Sequence, residues 1–453
     1  MTVGALREFA DIVGAPHVIT DPDAAQGYLT DWTGRYRGSA LAVIRPSTTA
    51  EVVAVVKVCA AQGINICPQG GNTGLVGGSV PSESDSLSIV LSTARMNEVG
   101  APDPIDRCIE VQAGATVSEI ASRAGEVGLA FGVDLASRDS ATAGGIVATN
   151  AGGIHVIAHG DTRAQVRGVE AVLADGTVVR RWKRLTKDNV GYDLPGLLAG
   201  SEGTLAIITR VLLGLVRPAS SRFVSVAAID EARVAFELVD ALEASGLRIE
   251  AAELMTAAGV DLVGEYGRRR PTTIPGPFYA LVEVSGPGNL DTVAAEAVSE
   301  VAGVRDIVGQ QGPARALWEI REGHTEAIAR ASSTVPVKLD ISVPLAAMTD
   351  ALNSFAALGD SQPYPCRTIL FGHIGDGNVH VNYLDVPPEA QDALADAALA
   401  VVAGADGSVS AEHGIGRAKT RWMSTREPAD VAAMKAIRTA LDPRGLLNPG
   451  VLW

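Results

Sequence analysis

No stretch of this 453-residue chain approaches 18 consecutive apolar residues, so no membrane-spanning helix is expected. The opening Met1-Thr-Val-Gly-Ala-Leu-Arg-Glu-Phe-Ala lacks the basic and then apolar regions of an export signal, and a cytoplasmic protein is expected. Cysteine is scarce. Cys59, Cys67, Cys108 and Cys366 form no Cys-x-x-Cys pair, which argues against a disulfide framework or a cysteine zinc site and leaves buried thiols. Positive charge is in deficit, with 37 Lys and Arg against 52 Asp and Glu and a net charge of -15. Neutralising phosphates needs a basic surface, so a general nucleic-acid binder is disfavoured, and any anionic small substrate needs locally placed Arg or Lys. No NAD fingerprint and no iron–sulfur ligand set stands out, and neither an internal repeat nor a low-complexity segment is present.

What is present fits a multi-domain globular enzyme. The length suits two or three domains, 47% of residues are hydrophobic, and the 49 glycines are often clustered, as if backbone must approach a bound cofactor. Histidine is rare, seven in all, yet His373, His380 and His413 fall within two short segments that also hold Asp376 and Glu412. These segments are Phe371-Gly-His-Ile-Gly-Asp-Gly-Asn-Val-His380 and Ala411-Glu-His-Gly-Ile-Gly416, with an acidic, Ala-rich helical run over 387–403 between them. Imidazole and carboxylate suit Zn, Mn or Fe, so a metal site is the first expectation.

In chain order, residues 1–40 read as a helix and linker, and 42–46 as a short strand closed by proline. Thr48 and Glu51 have capping-box spacing before an apolar-periodic helix over 52–61 that ends at Gly63, and 64–68 reads as the next strand. That strand runs into Gln69-Gly-Gly-Asn-Thr-Gly-Leu-Val-Gly-Gly78, whose glycines let successive N–H groups converge on an anion. It carries neither Gly-x-Gly-x-x-Gly nor the Gly-Lys-Ser/Thr ending of a nucleotide hydrolase, so a pyrophosphate loop of another kind is expected, against a ligand-free glycine hairpin. Strands follow at 88–91 and 108–112 and a helix from 117 to about 128. Residues 140–153 are small, polar or apolar and uncharged, which suits packing against a flat neutral ring or, more simply, a tightly packed helix start. A hairpin with an Asp-Gly turn is expected over 169–181, a loop over 187–193 and a buried strand pair over 205–213. From Phe223 strands and Ala/Glu-rich helices alternate, and a single helix over 317–328 is expected to carry Arg321 and Thr325 on one face. A strand over 338–343 follows, and Asn382 is expected on the same strand face as His380.

Taken together, residues 69–78, Ala148-Thr-Asn-Ala-Gly-Gly153, Lys187-Asp-Asn with Gly191-Tyr-Asp193, Gly200-Ser-Glu-Gly-Thr204, the two histidine segments, and Asp442-Pro with Leu447-Asn-Pro-Gly450 resemble the vanillyl-alcohol-oxidase-type FAD flavoproteins. The resemblance runs along essentially the whole chain, in the branch of D-2-hydroxyacid dehydrogenases. It implies an α+β protein with a two-subdomain FAD-binding domain over 1–217, an α+β substrate or cap domain over 218–372, and a helical C-terminal segment over 373–453 that carries metal ligands and returns to the FAD domain. For FAD it implies Pro68, Gly70, Gly71, Asn72, Thr73, Gly74, Leu75, Gly77, Gly78 and Ser79 around the pyrophosphate. Ser140, Gly144, Gly145, Asn150 and Gly152 would line the flavin and adenosine channel, and Glu202, Ile207 and Asn448 would complete the site. A covalent link through His155 or His159 is disfavoured against ordinary loop histidines.

For a divalent metal, zinc before Mn or Fe, the resemblance implies His373, His380 and Glu412 as ligands, with Asp376 a turn or supporting residue. It makes His413 the base that removes the C2 hydroxyl proton while the C2 hydrogen passes as hydride to flavin N5. Arg321, Thr325, Lys338, Asn382 and His413 would bind a small 2-hydroxycarboxylate, D-2-hydroxyglutarate before D-lactate, D-malate or glycolate. Electrons would leave to an external acceptor, an electron-transfer flavoprotein or a quinone. A homodimer is an open alternative to a monomer. A zinc hydrolase or a non-redox flavoprotein are the readings from other classes.

Overall fold

A computed structural model describes residues 2–83, 87–182, 184–185 and 187–453. The chain divides into two compact units: unit 1 comprises Met1–Gly153, His159–Pro218 and Glu412–Trp453, and unit 2 comprises Ile154–Ala158 and Ala219–Ala411. No helix among the described residues is long and apolar enough to cross a membrane.

Unit 1 holds two four-stranded sheets, the two subdomains expected. The first has order β1-β2-β4-β3, from β1 (Val18–Ile19), β2 (Ala42–Ile44), β3 (Asn65–Gln69) and β4 (Ser88–Ser92); β2 and β3 both run parallel to β4. The right of entry to β3 is set by the helix Thr49–Gln62, whose Val52, Val55, Val56 and Cys59 pack into the core with Ile66, Ile89 and Leu91. Burying each such aliphatic chain contributes roughly 1.5–3 kcal/mol relative to exposure. Thr48 caps that helix by accepting from Glu51 N at 3.2 Å. The reciprocal half of the expected capping box differs: the Glu51 carboxylate accepts from Ser47 N at 2.7 Å, one residue earlier. The second sheet, order β5-β8-β6-β7, is antiparallel: β5 (Cys108–Gln112), β6 (Val166–Val172), β7 (Val178–Trp182) and β8 (Ile207–Gly214). The run expected as a strand pair over 205–213 is the single central strand β8, buried because it is paired on both edges.

Unit 2 is built on one seven-stranded antiparallel sheet of order β12-β9-β11-β10-β14-β15-β13. Its strands are β9 (Arg222–Ile229), β10 (Arg248–Thr256), β11 (Phe278–Ser285), β12 (Val304–Gln311), β13 (Val337–Ser342), β14 (Arg367–His373) and β15 (Asn378–Leu384). One face carries Val226, Ala228, Met255, Tyr279, Leu281, Ile369 and Phe371, packed with Val260, Leu262, Trp318, Ile320 and Ile328 from three helices. The boundary expected between 372 and 373 falls inside β14. Hydrogen bonding of β14 to both β10 and β15 carries the chain in unit 2 past that boundary, and bonds from Ser408 N to Ser342 O and from Ala411 N to Asp340 O hold it there through Ala411.

The single helix expected over 317–328 is two helices, Arg315–Glu322 and His324–Ala331, meeting at Gly323. Arg321 is buried while Thr325, on the second helix, is exposed, so they do not share a face.

Candidate functional site

Unit 1 gathers the glycine-rich stretches into one cradle. As β3 ends, the buried Gln69 amide donates to Tyr28 O at 2.9 Å and to Ser79 O at 2.8 Å, clipping the two ends of the loop together. Asn72, at φ +51°, spends its amide nitrogen on Gly27 O and Thr30 O and its oxygen on the Ser79 hydroxyl. The loop side chains thus hold the loop. Its backbone N–H groups from 70 to 79 donate to no acceptor among the described residues, the condition of a nest that takes an anion.

A side chain at Gly71 would run into the carbonyl of Ser140, so the loop rests directly on the small neutral stretch. Gly77, at φ +69°, lies against the ring of Tyr36, where a side chain would also clash, though less severely. Thr142 caps the helix Ala143–Thr149, which contains Gly144 and Gly145 and ends at Asn150. Asn150 gives its amide to Asp161 Oδ2 at 2.7 Å and accepts from Arg163 N at 2.8 Å, so it shapes the turn before the buried Gly152.

Of the three remaining expected cofactor residues, Glu202 and Asn448 meet the same cradle and Ile207 does not. Glu202 accepts from Ile415 N at 2.8 Å and Gly416 N at 2.7 Å, and burial raises its carboxyl above the ordinary range against the pull of those donors. Asn448 donates to Gly78 O and to Glu202 O, both at 2.8 Å, and its buried Oδ1 has no partner among the described residues. Ile207 opens β8 with its side chain in the core. Pro68 lies in β3 opposite Leu91, and Leu75 is exposed. A row of unpaired N–H donors, an orphaned buried acceptor and a neutral floor fit the diphosphate and the polar edges of FAD.

Unit 2 carries a second cluster, made of side chains. Cross-strand register sets Asp340 beside His380 and His380 beside Phe371, and sets Glu253 beside His373. In the neighbouring row Lys338 pairs with Asn382, on the same face as His380 as expected. Glu253 is fully buried; one oxygen accepts Arg321 Nε at 2.5 Å and the other meets His373 Nδ1. Burial alone would raise the Glu253 carboxyl, but the Arg321 and His373 charges hold it down at about 2. His380 Nδ1 lies 3.7 Å from Asp340 Oδ1, and Asn378 Nδ2 donates to that same oxygen at 2.8 Å.

The two imidazoles stand edge to face with centroids 5.7 Å apart. The Arg321 guanidinium lies over Phe371 at 4.6 Å, and His324 supports the other side of the group, 4.8 Å from Phe371. Burial, with the Arg321 charge adding to it, lowers His324 to about 4, so it is neutral at pH 7. Asp376 accepts from Asn378 N at 3.1 Å across the β14–β15 turn. Asn382 spends its amide nitrogen on the carbonyls of Ile369 and His380.

Of the expected substrate and metal residues, unit 2 therefore brings together Arg321, His373 and His380, with Lys338 and Asn382 one row away. Thr325 is not among them. Glu412 and His413 belong to unit 1, where Glu412 accepts from Gly153 N at 3.4 Å. His155 bonds the carbonyl of Glu250. The sequence reading missed Glu253, Asp340 and His324; the one signal available was a pair of acids inside the apolar strand Ile249-Glu-Ala-Ala-Glu-Leu-Met255.

Comparison with known proteins bears on both units. The model of the FAD linked oxidases, C-terminal domain, matches residues 217–452, and the FAD binding domain model matches residues 40–181. D-2-hydroxyglutarate dehydrogenase of Xanthomonas citri pv. viticola is 37% identical, covering 100% of this chain and 98% of that one. The mitochondrial D-2-hydroxyglutarate dehydrogenase of Rattus norvegicus is 35% identical, covering 95% of this chain and 82% of that one. The solved structure of p-cresol methylhydroxylase with substrate bound shares the fold, with a TM-score of 0.77 at 16% identity over 99% of this chain and 96% of that one. The chain thus belongs to the FAD-linked oxidases of vanillyl-alcohol-oxidase fold, in the branch of the D-2-hydroxyacid dehydrogenases.

Proposed function

We propose that the protein oxidises D-2-hydroxyglutarate to the 2-oxoacid, with FAD as the hydride acceptor and a divalent metal, zinc before Mn or Fe, at the hydroxyl. The observation that carries the metal reading is that His373 and His380 each set Nδ1 against a buried carboxylate, Glu253 and Asp340. At His373 the hydrogen bond fixes the tautomer with Nε2 as the candidate ligand atom, while at His380 the carboxylate 3.7 Å away acts through its charge alone. On the sequence motif, Glu412 is proposed as the third ligand and His413 as the base.

When bound, FAD supplies a two-electron acceptor and the metal a Lewis acid for the hydroxyl oxygen. The residues do the rest. Arg321 presents its terminal nitrogens to a carboxylate, because its Nε is already committed to Glu253 and its plane rests on Phe371. Lys338 and Asn382 favour a substrate with a second polar end, and His413 takes the hydroxyl proton. The electrons then pass to an external acceptor, an electron-transfer flavoprotein or a quinone.

An anaerobic spectrum tests this. The protein should be yellow as isolated, and D-2-hydroxyglutarate should bleach the flavin faster than D-lactate, D-malate or glycolate. Faster bleaching by D-lactate than by any dicarboxylic hydroxyacid would overturn the substrate. A colourless protein would point to a zinc hydrolase, and a yellow protein that no 2-hydroxyacid bleaches to a non-redox flavoprotein.

A further inference from the structure

Glu253 lies outside every motif that marks the site, yet it touches both of its working ends. A fully buried carboxylate is tolerated only when it is paired and hydrogen-bonded. An Arg–carboxylate pair commonly forms two parallel bonds through the terminal nitrogens. Here the contact is made through Nε, and the guanidinium makes no other hydrogen bond among the described residues. At the other oxygen the contact is with His373 Nδ1, again the atom facing away from the ring's second nitrogen. Glu253 therefore holds each partner by its rear atom, and at Arg321 the terminal nitrogens make no hydrogen bond among the described residues. The partners come from the helix Arg315–Glu322 and from β14, so one side chain on β10 fixes the relation between them.

We propose that Glu253 is a positioning residue that orients Arg321 for the substrate carboxylate and His373 for the metal together, so that the two binding events share one buried anchor. This rests on the reading of Arg321 and His373 given above. A purely structural ion pair would cost stability on removal and leave both affinities alone.

The test uses the purified full-length flavoprotein and Glu253→Gln, which keeps the shape and removes the charge. Flavin content should not change. Zinc retained after dialysis against a chelator should fall roughly tenfold to a hundredfold, the usual effect of losing a carboxylate behind a metal-bound histidine. Saturating zinc should then restore kcat for D-2-hydroxyglutarate while KM stays raised, because the Arg321 arm does not depend on the metal. Wild-type zinc retention, or recovery of KM together with kcat on adding zinc, overturns the proposal.

His373→Ala separates the two levels of argument. If it keeps zinc, the metal reading fails and this inference with it. If it loses zinc while Glu253→Gln keeps it, only the inference fails. Should Glu253→Gln not fold, the double variant Glu253→Gln/Arg321→Gln removes the buried charges as a pair; zinc loss there supports the proposal and zinc retention overturns it.

Discussion

The cradle over residues 70–79 is made of main chain, whereas the row on β10, β14 and β15 is made of charged side chains that hold one another. In unit 1 the side chains of Gln69, Asn72 and Thr142 and the amide nitrogen of Asn448 are spent on protein partners, while the N–H groups of 70–79 donate to no acceptor among the described residues. In unit 2 the strands set the spacing, and the side chains of Glu253, Arg321 and His373 bond to one another across it. A backbone site is damaged by adding atoms. A side-chain site is damaged by removing atoms or charge.

The largest expected effect is in the cradle. Gly71→Val would press a branched side chain into the Ser140 carbonyl, and overpacking costs of ~1–3 kcal/mol or more should leave most of the protein without flavin, read from visible absorbance per chain. Flavin content equal to wild type would break the distinction.

Next in size is the acid response of unit 2. His324 is held at about 4 in the fold against an ordinary value of about 6.5, so the unfolded chain protonates first. Its contribution is complete above about pH 6.5 and is lost as pH falls toward 4, about 3 kcal/mol in all. Denaturant midpoints at pH 7 and 4.5 should show this slope, and His324→Asn should flatten it.

Arg321→Lys keeps the charge but loses the fork and the stacking over Phe371. The specificity constant for D-2-hydroxyglutarate should fall roughly tenfold to a hundredfold with flavin content unchanged, as expected for the loss of one charge-assisted hydrogen bond. Loss of flavin would mean that the two units are not separable in this way.

The smallest effect has the opposite pH sign. The Glu202 carboxyl is raised, so its contribution is fullest below the ordinary carboxylate range and declines as pH rises through the raised value. The stability of Glu202→Gln relative to wild type should therefore improve from pH 4.5 to pH 8. A flat difference would show that the Ile415 and Gly416 donors offset the burial.

The same contrast explains what was legible in the sequence. A cradle of free N–H groups demands glycine at set positions, so residues 70–78 and 140–153 stood out, and the capped helix before β3 could be placed to the residue. The histidines stood out because seven are present and three cluster. Glu253 did not, because its partners are 68 and 120 residues away and a buried acid in a strand looks like any half-exposed alternation. The break at Gly323 was hidden because the residues on either side keep a helical periodicity; only the packing of Arg321 inward and Thr325 outward reveals it. The Glu51 bond to Ser47 rather than Thr48 is a one-residue choice that spacing cannot decide.

Asn448 is translated 370 residues after Gly78, the residue whose carbonyl it holds, and the whole of residues 219–411 lies between them in sequence. Synthesis from the N-terminus therefore delivers the main chain of the cradle early and its last fastening late. Until that side chain has emerged from the ribosome, the nascent cofactor domain exists without its final clasp, and its completion is timed by the length of the second unit inserted within it.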